Sequence, residues 1–402
     1  MIIKKAINKK IGLAFSGGLD TSVAIKWMKN NNNKIFAYNA NLEFKNEKNK
    51  LKKKAIKLGA IKFKSINCKE KLAKAGIKVI KYRAFCVSSG TGIYFNTTPI
   101  ARVITTKEIS KELKKENINI WSDGSTYKGN DIERFCNYAL IANKKIKFYK
   151  PWLDKEFIKK FGGRKEIIKY LDKKKKYKKE NKYSIDSNIL GNTYEGNKIE
   201  KLKFNIEKIK FIFCGNINNI KNKSTKFSIE IKKGNPIKIN NKKINKKYLI
   251  FKILNKIGSK HKLGISDQIE DRIIETKSRG IYEAPAMLIL HNIYERLISC
   301  IYNKETIKLY RSNGKKIGRL LYEGKWYSEE SKLRIEIAKK ITSKINGKLK
   351  LKITNGNILF INTKIYKHNK YKKKYISMEK CKKEMFTFKD RIGYLNIKKI
   401  KI

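Results

Sequence analysis

Over its first 150 residues the chain alternates short apolar runs of β character with helical stretches, and that rhythm leaves few folds open. Ile11–Phe15 reads as a strand, Thr21–Asn30 as a helix, and Lys34–Ala40 as a second strand. Glu47–Gly59 follows as a helix closed by glycine, then Ile61–Asn67 as a strand and Lys69–Lys81 as a helix. Ile118–Trp121 adds a further strand, ended by Asp123-Gly124. Strands separated by helices predict a doubly wound α/β domain, its parallel sheet covered on both faces. Ligands of such sheets bind beyond the carboxyl ends of the strands, where both glycine-rich stretches, 16–18 and 123–129, are expected.

The second half is less regular. Asp172–Lys182 is a charge run without an apolar face and reads as a basic linker, dividing the chain into 1–171 and 183–402. Beyond it Ile206–Phe213, Phe227–Ile231 and Ile237–Asn240 look like strands, and 246–257, 267–279 and 284–301 like helices. The remainder from Ile317 looks strand-rich, which makes this half an α+β domain.

Composition excludes several classes. With 41% hydrophobic and 11% aromatic residues, the chain of 402 residues can build a core, so disorder throughout is ruled out. The longest apolar run, Ala284–Leu290, is far short of the roughly 18 residues that span a bilayer. The run after the basic start, Ile11–Phe15, is too short for a signal peptide. Cys68, Cys86, Cys136, Cys214, Cys300 and Cys381 form no CxxC pair, and there are only three histidines. That pattern argues against a disulfide framework or a zinc site and for a reducing, cytoplasmic setting, with no membrane partner.

The net charge of +64 would ordinarily mark a polyanion-binding surface. Here 11 of the 98 basic residues are arginine, and lysine is enriched together with Asn, Ile, Tyr and Phe along the whole chain. These residues share A/T-rich codons, so mutational bias can supply them jointly, the alternative being a selected polyanion surface; no specific nucleic-acid partner is expected. The bias makes the surviving arginines informative, because a planar five-donor fork is what lysine cannot replace. Arg102, Arg134, Arg272 and Arg279 all fall within the motifs described next.

Ser16-Gly-Gly-Leu-Asp-Thr-Ser22 follows the first strand and opens a helix. Two glycines let the backbone approach a phosphate, and the helix N-terminus offers unpaired N–H groups with partial positive charge. Ser16, Thr21 and Ser22 add hydroxyls, and Asp20 can hold Mg²⁺ or pin the loop. A Walker loop is excluded, since no Gly-Lys-Ser/Thr follows. Downstream, Thr126, Asn130, Asp131 and Arg134 form a mixed donor and acceptor surface suited to a zwitterion. A carboxylate would meet Arg134, Thr126 or Asn130, and an ammonium would meet Asp131.

The Ser16–Ser22 loop resembles the signature of ATP pyrophosphatases, whose members include tRNA-modifying enzymes. Tyr94–Arg102, Trp121–Phe135, Tyr183–Asn188, Gly191–Glu195 and Ser266–Pro285 narrow the resemblance to the argininosuccinate synthase family, longer bacterial branch, from about Ile11 to about Gly393. The alternatives are a tRNA-modifying enzyme with the same loop and a nonenzymatic basic protein that binds polyanions. The resemblance implies an adenine nucleotide alpha-hydrolase-like first domain and a C-terminal synthetase and oligomerisation domain. It also implies ligation of L-citrulline and L-aspartate through citrullyl-AMP, releasing AMP and pyrophosphate from ATP with Mg²⁺.

Carried over by position, it implies ATP contacts at Ala14, Phe15, Ser16, Gly17, Gly18, Leu19, Asp20, Thr21, Ser22, Ala40, Gly124, Thr126, Asp131 and Asp186. Citrulline contacts are implied at Tyr94, Asn130, Arg134, Ser184, Thr193, Glu195, Glu270 and Tyr282, and aspartate contacts at Thr126, Asn130 and Asp131. Asp131, Arg134 and Asp20 are the expected catalytic groups, with Asp131 orienting the aspartate amine; no metal ligand is assigned. Some positions have plainer readings: Asp267 and Glu270 fit a helix capping box, Tyr94 a packed aromatic, and Ser184 and Asp186 caps or turn residues. The chain departs from the family at Glu43-Phe44, Ser122, Ile185 and Ala286. It also ends at Ile402, where members usually continue into a C-terminal helix that clasps neighbouring subunits. A homo-oligomer, the family's tetramer weakened by that shortening, is the expectation.

Overall fold

The computed structural model describes residues 1–85, 93–171, 183–219, 224–368, 370–371 and 386–400. Its first sheet holds β1 (Lys10–Ala14), β2 (Lys34–Asn41), β3 (Lys62–Asn67), β4 (Ile120–Ser122) and β5 (Lys147–Phe148), all parallel, in the order β3-β2-β1-β4-β5. Between and after these strands run α1 (Leu19–Asn30), α2 (Lys48–Leu58), α3 (Lys69–Lys81), α4 (Thr98–Lys115), α5 (Asp131–Ala142), α6 (Lys155–Lys160) and α7 (Arg164–Leu171). Alternate residues of the strands feed two cores. Ile11, Leu13 and Ile35 pack with Val23, Ile25 and Met28 of α1, whereas Ala14, Tyr38 and Trp121 pack with Ile109 and Leu113 of α4 and Phe135 of α5. This is the doubly wound sheet that the sequence predicts. Chain order reverses at β1, which lies between β2 and β4, so a crevice opens beyond the ends of these strands.

After the first sheet come β6 (Ser184–Ser187), β7 (Asn192–Glu195), β8 (Thr225–Lys232), β9 (Asn235–Ile239), β10 (Lys242–Lys243) and α8 (Lys247–Lys260). They are followed by β11 (Ile265–Asp271), β12 (Lys277–Glu283), α9 (Pro285–Ile301), α10 (Lys304–Tyr322), α11 (Glu329–Thr342), β13 (Gly347–Thr354), β14 (Asn357–Ile365) and α12 (Phe388–Lys399). Two antiparallel sheets result, β11-β12-β7-β6 and β10-β9-β8-β13-β14. The apolar run Ala284–Leu290 opens α9, the central helix, which buries Met287, Ile289, Leu290, Ile293, Tyr294 and Leu297 in the main core.

Several expectations for this half are corrected. Residues 267–279 form the β11–β12 hairpin and not a helix, because β12 is paired on its other side by β7, and cross-strand bonding outweighs the local capping signal. Residues from Ile317 to Thr342 are largely helical; strands resume only at Gly347. Side-chain caps start both helices: Asn303 accepts from the Thr306 N–H (3.1 Å) and Ser328 from the Ser331 N–H (3.3 Å). Ile206–Phe213 is a short 3-10 turn with a bridge from Phe211 to Gly215, and not a strand. α12 is present with a capping box between Thr387 and Asp390, and none of its side chains is buried. The linker expected at 172–182 lies outside the described residues. Among the described residues no helix is long and apolar enough to cross a membrane.

Candidate active site

The crevice at the end of the first sheet is a cleft of about 970 Å³. One wall is the turn from β1 into α1. The Ser16 hydroxyl lies 3.2 Å from that of Thr21 and accepts from the Gly18 N–H (3.3 Å). The Ser22 hydroxyl turns back onto the Gly18 carbonyl (2.7 Å) and the Ser22 N–H bonds the same oxygen (3.0 Å), closing the first helical turn. Gly17 has φ +81°, a left-handed conformation that a side chain strains, and a Cβ there would come within 2.3 Å of Leu51. Gly124, in the loop after β4, approaches this turn so closely that a Cβ would lie 3.1 Å from the Thr21 nitrogen. The two glycine-rich loops therefore meet at the N-terminus of α1, where backbone N–H groups and the helix dipole favour an anion.

The opposite wall is one face of the β11-β12-β7-β6 sheet. Register pairs Ser184 with Glu195, Asp186 with Thr193, Thr193 with Tyr282 and Glu270 with Ser278. Side chains alternate along strands, so these polar groups share the cleft face. Ile185, Tyr194 and Ile281 point the other way, into a separate apolar cluster. Ile185, where the family pattern has a polar residue, packs against that apolar cluster and also borders the cleft.

Between the walls stands a chain of charges. Arg102 of α4 donates through Nε to Asp131 (2.8 Å) and through Nη2 to Asp186 (2.7 Å), bridging the two halves of the chain. Thr98, a turn earlier, donates to the same Asp186 oxygen (2.8 Å). Asp131 also receives Arg134 Nη1 (3.1 Å), so each of its oxygens already serves one arginine. Burial alone would raise the Asp131 carboxyl, but Arg102 and Arg134 outweigh it and hold it below the ordinary carboxylate range. Arg134 is buried, and its Nη2 has no hydrogen-bond partner among the described residues. Arg134 is a lining residue of the cleft, and this nitrogen is an enclosed donor beside it.

Glu195 behaves oppositely. It opens to the cleft, yet its low-dielectric surroundings, with the like charges of Asp131 and Asp186, push its carboxyl up to about 7 against the pull of Arg272. A carboxyl raised from 4.5 contributes full stability only below that value, and the contribution is lost as pH rises through about 7. Glu195→Gln is therefore expected to melt above the parent protein at pH 8, with the gap narrowing at pH 5. Scanning calorimetry at the two pH values checks this; equal gaps would refute it.

Of the residues singled out in sequence, Ala14, Phe15, Ser16, Gly18, Leu19, Asp20, Thr21, Ala40, Gly124, Thr126, Asn130, Asp131, Arg134, Ser184, Asp186, Thr193, Glu195, Glu270 and Tyr282 line this one cleft. Gly17 sets the turn, Ser22 is buried behind it, and Tyr94 is buried against Tyr282 (ring centroids 4.7 Å). The plainer readings are settled in part. Glu270 caps no helix, being a strand residue whose carboxylate accepts from Tyr94, and Ser184 and Asp186 are strand residues as well. Asn130 is heavily engaged, its Oδ1 accepting from the Ile273 N–H and its Nδ2 donating to Tyr322, both 2.8 Å. Sequence reading assigned no role to Thr98, Lys150 or Tyr322. Arg102 it flagged only as an arginine that had survived the lysine bias. Tyr322 carried no signal, since it ends a helix in a stretch that reads as strand.

Two family models match the chain: Arginosuccinate synthase N-terminal HUP domain over residues 10–176, and Arginosuccinate synthase C-terminal domain over residues 183–402. Among solved structures, the chain is similar to a predicted subunit of tRNA methyltransferase from Methanocaldococcus jannaschii. The likeness is 16% identity over 40% of this chain and 75% of that one, with a TM-score of 0.28. So slight a likeness carries no argument.

Proposed function

The chain belongs to the argininosuccinate synthase family, and from that membership and the cleft we propose that it joins L-citrulline to L-aspartate by way of citrullyl-AMP. The observation that carries the proposal is the meeting, in one cleft, of an anion-binding helix start and a sheet face of carboxylates and hydroxyls, bridged by Arg102.

ATP sits with its phosphates on the turn Ser16–Ser22 and its α-phosphate toward Gly124 and Thr126; Ala40 and the strand ends flank the nucleoside. Citrulline lies along Ser184, Thr193, Glu195, Glu270 and Tyr282, its carboxylate reaching Arg134. In the first step the ureido oxygen attacks the α-phosphorus, and the bond to the departing pyrophosphate breaks. The N–H groups at the start of α1 stabilise the charge that develops on the leaving group. In the second step the aspartate amine, having lost a proton, attacks the ureido carbon, and AMP leaves with the former ureido oxygen. Thr126, Asn130 and Asp131 hold aspartate for that attack, so catalysis rests mainly on alignment.

Asp20 in the first turn of α1, with the hydroxyls of Ser16 and Thr21, fits a Mg²⁺ carried on the phosphates, since that ion takes one or two protein carboxylates and keeps several waters. When bound, it would neutralise charge on the pyrophosphate. The unburied α12, presenting Phe388, Ile392, Tyr394, Leu395 and Ile397, supports assembly with further copies of the chain. Cys68, Cys136, Cys214 and Cys300 are free thiols, which agrees with a cytoplasmic setting.

The test is release of AMP and pyrophosphate from Mg·ATP, with citrulline and aspartate omitted in turn. Turnover with argininosuccinate as product only when both are present is expected. Steady release that ignores both amino acids would contradict the proposal.

A further inference from the structure

Tyr322 is buried at the end of α10, outside every motif that pointed to the site. Its hydroxyl oxygen accepts from Asn130 Nδ2 (2.8 Å) and lies 3.1 Å from both Glu270 Oε1 and the Asp271 carbonyl, two acceptors for its single proton. Its own carbonyl accepts from Arg134 Nε (2.8 Å), and its ring lies 4.8 Å from the Arg134 guanidinium. Asn130 and Arg134 belong to the start of α5, whereas Glu270 stands on β11. Three groups from two separate sheets' surroundings are thus referenced to one residue, itself fixed by burial and by its helix.

We propose that Tyr322 is a positioning residue for the two amino-acid substrates: its hydroxyl sets the spacing between Glu270 and Asn130, and its carbonyl and ring set the direction of Arg134. The inference rests on the reaction proposed above. A bond from a phenol to a carboxylate orients as well as stabilises: Tyr94 holds one oxygen of Glu270, and losing the Tyr322 bond takes a partner from the other. The ATP turn at Ser16–Ser22 makes none of these contacts, so the nucleotide should not sense the change.

Tyr322→Phe removes the hydroxyl while retaining the ring and the carbonyl. KM for citrulline and for aspartate is expected to rise about tenfold, as suits loss of a hydrogen bond to a charged group, with KM for ATP within about twofold of the parent. A cycle with Glu270→Gln adds a second readout: if the hydroxyl works through Glu270, the double variant loses less than the two single losses combined. Unchanged amino-acid KM values, a matching rise for ATP, additive losses or a variant that does not fold would each overturn the inference. A parent chain that makes no argininosuccinate would sink the reaction reading, and this inference with it; an active parent with an indifferent variant sinks the inference alone.

Discussion

Asp131→Ala is expected to lower kcat/KM for argininosuccinate formation by at least about a hundredfold, some 2.7 kcal/mol of barrier. Asp131 is the hinge of the charge chain across the cleft: one oxygen takes Arg102 and the other Arg134. Without it, among the described residues, Arg102 keeps Asp186 as its carboxylate partner, and Arg134 keeps the Tyr322 carbonyl and ring. Both forks are then free to seat on substrate carboxylates or phosphates in the wrong place, and the aspartate amine loses the carboxylate assigned to it. Asp131→Asn separates charge from shape, since it keeps an acceptor for one arginine; it should fall between parent and alanine variant. Steady-state kinetics at saturating Mg·ATP, with a melting curve for each variant, decide the matter. An alanine variant within about fivefold of the parent would show that Asp131 serves the fold and not the chemistry.

Lys150→Met is expected to destabilise the protein by about 3–5 kcal/mol, the usual result of stripping one partner from a buried ion pair. Lys150 has 0% side-chain exposure and Asp123 has 2%, with 2.6 Å between Nζ and Oδ2. Asp123 also accepts from Trp121 Nε1 (2.8 Å) and, through its other oxygen, from the Ser125 N–H (2.9 Å) and the Ser125 hydroxyl. The pair therefore shapes the turn that carries Gly124 to the N-terminus of α1. Adding Asp123→Asn to Lys150→Met removes the stranded charge and should restore much of the melting temperature without restoring affinity for ATP, because the turn is no longer pinned. A single variant that melts with the parent would contradict the assignment.

The first sheet was legible because its signals are local: apolar strands, glycine closures and a helix rhythm that tertiary contacts reinforce. The lysine bias aided the site, for Arg102, Arg134 and Arg279 all use several donors, whereas Arg272 donates through Nη1 to the Lys128 carbonyl (3.2 Å). Arg279 holds both oxygens of Asp267 (2.9 and 2.6 Å) and the Lys201 carbonyl (2.7 Å), an arrangement no ammonium can reproduce. What escaped was non-local. The hairpin at 265–283 looked helical because Ser266-Asp-Gln-Ile-Glu270 imitates a helix start, and only pairing with β7 decides for strand. Tyr322 and Lys150 act through neighbours that lie 52 and 27 positions away, distances that no motif spans.

Citrulline labelled with ¹⁸O at the ureido oxygen bears most directly on the proposed reaction. After turnover with unlabelled ATP and aspartate, the label is expected in the phosphate of AMP, carried there by the attack of that oxygen on the α-phosphorus. Label found in pyrophosphate, in water or in the amino-acid product, with unlabelled AMP, would contradict a citrullyl-AMP intermediate in this cleft.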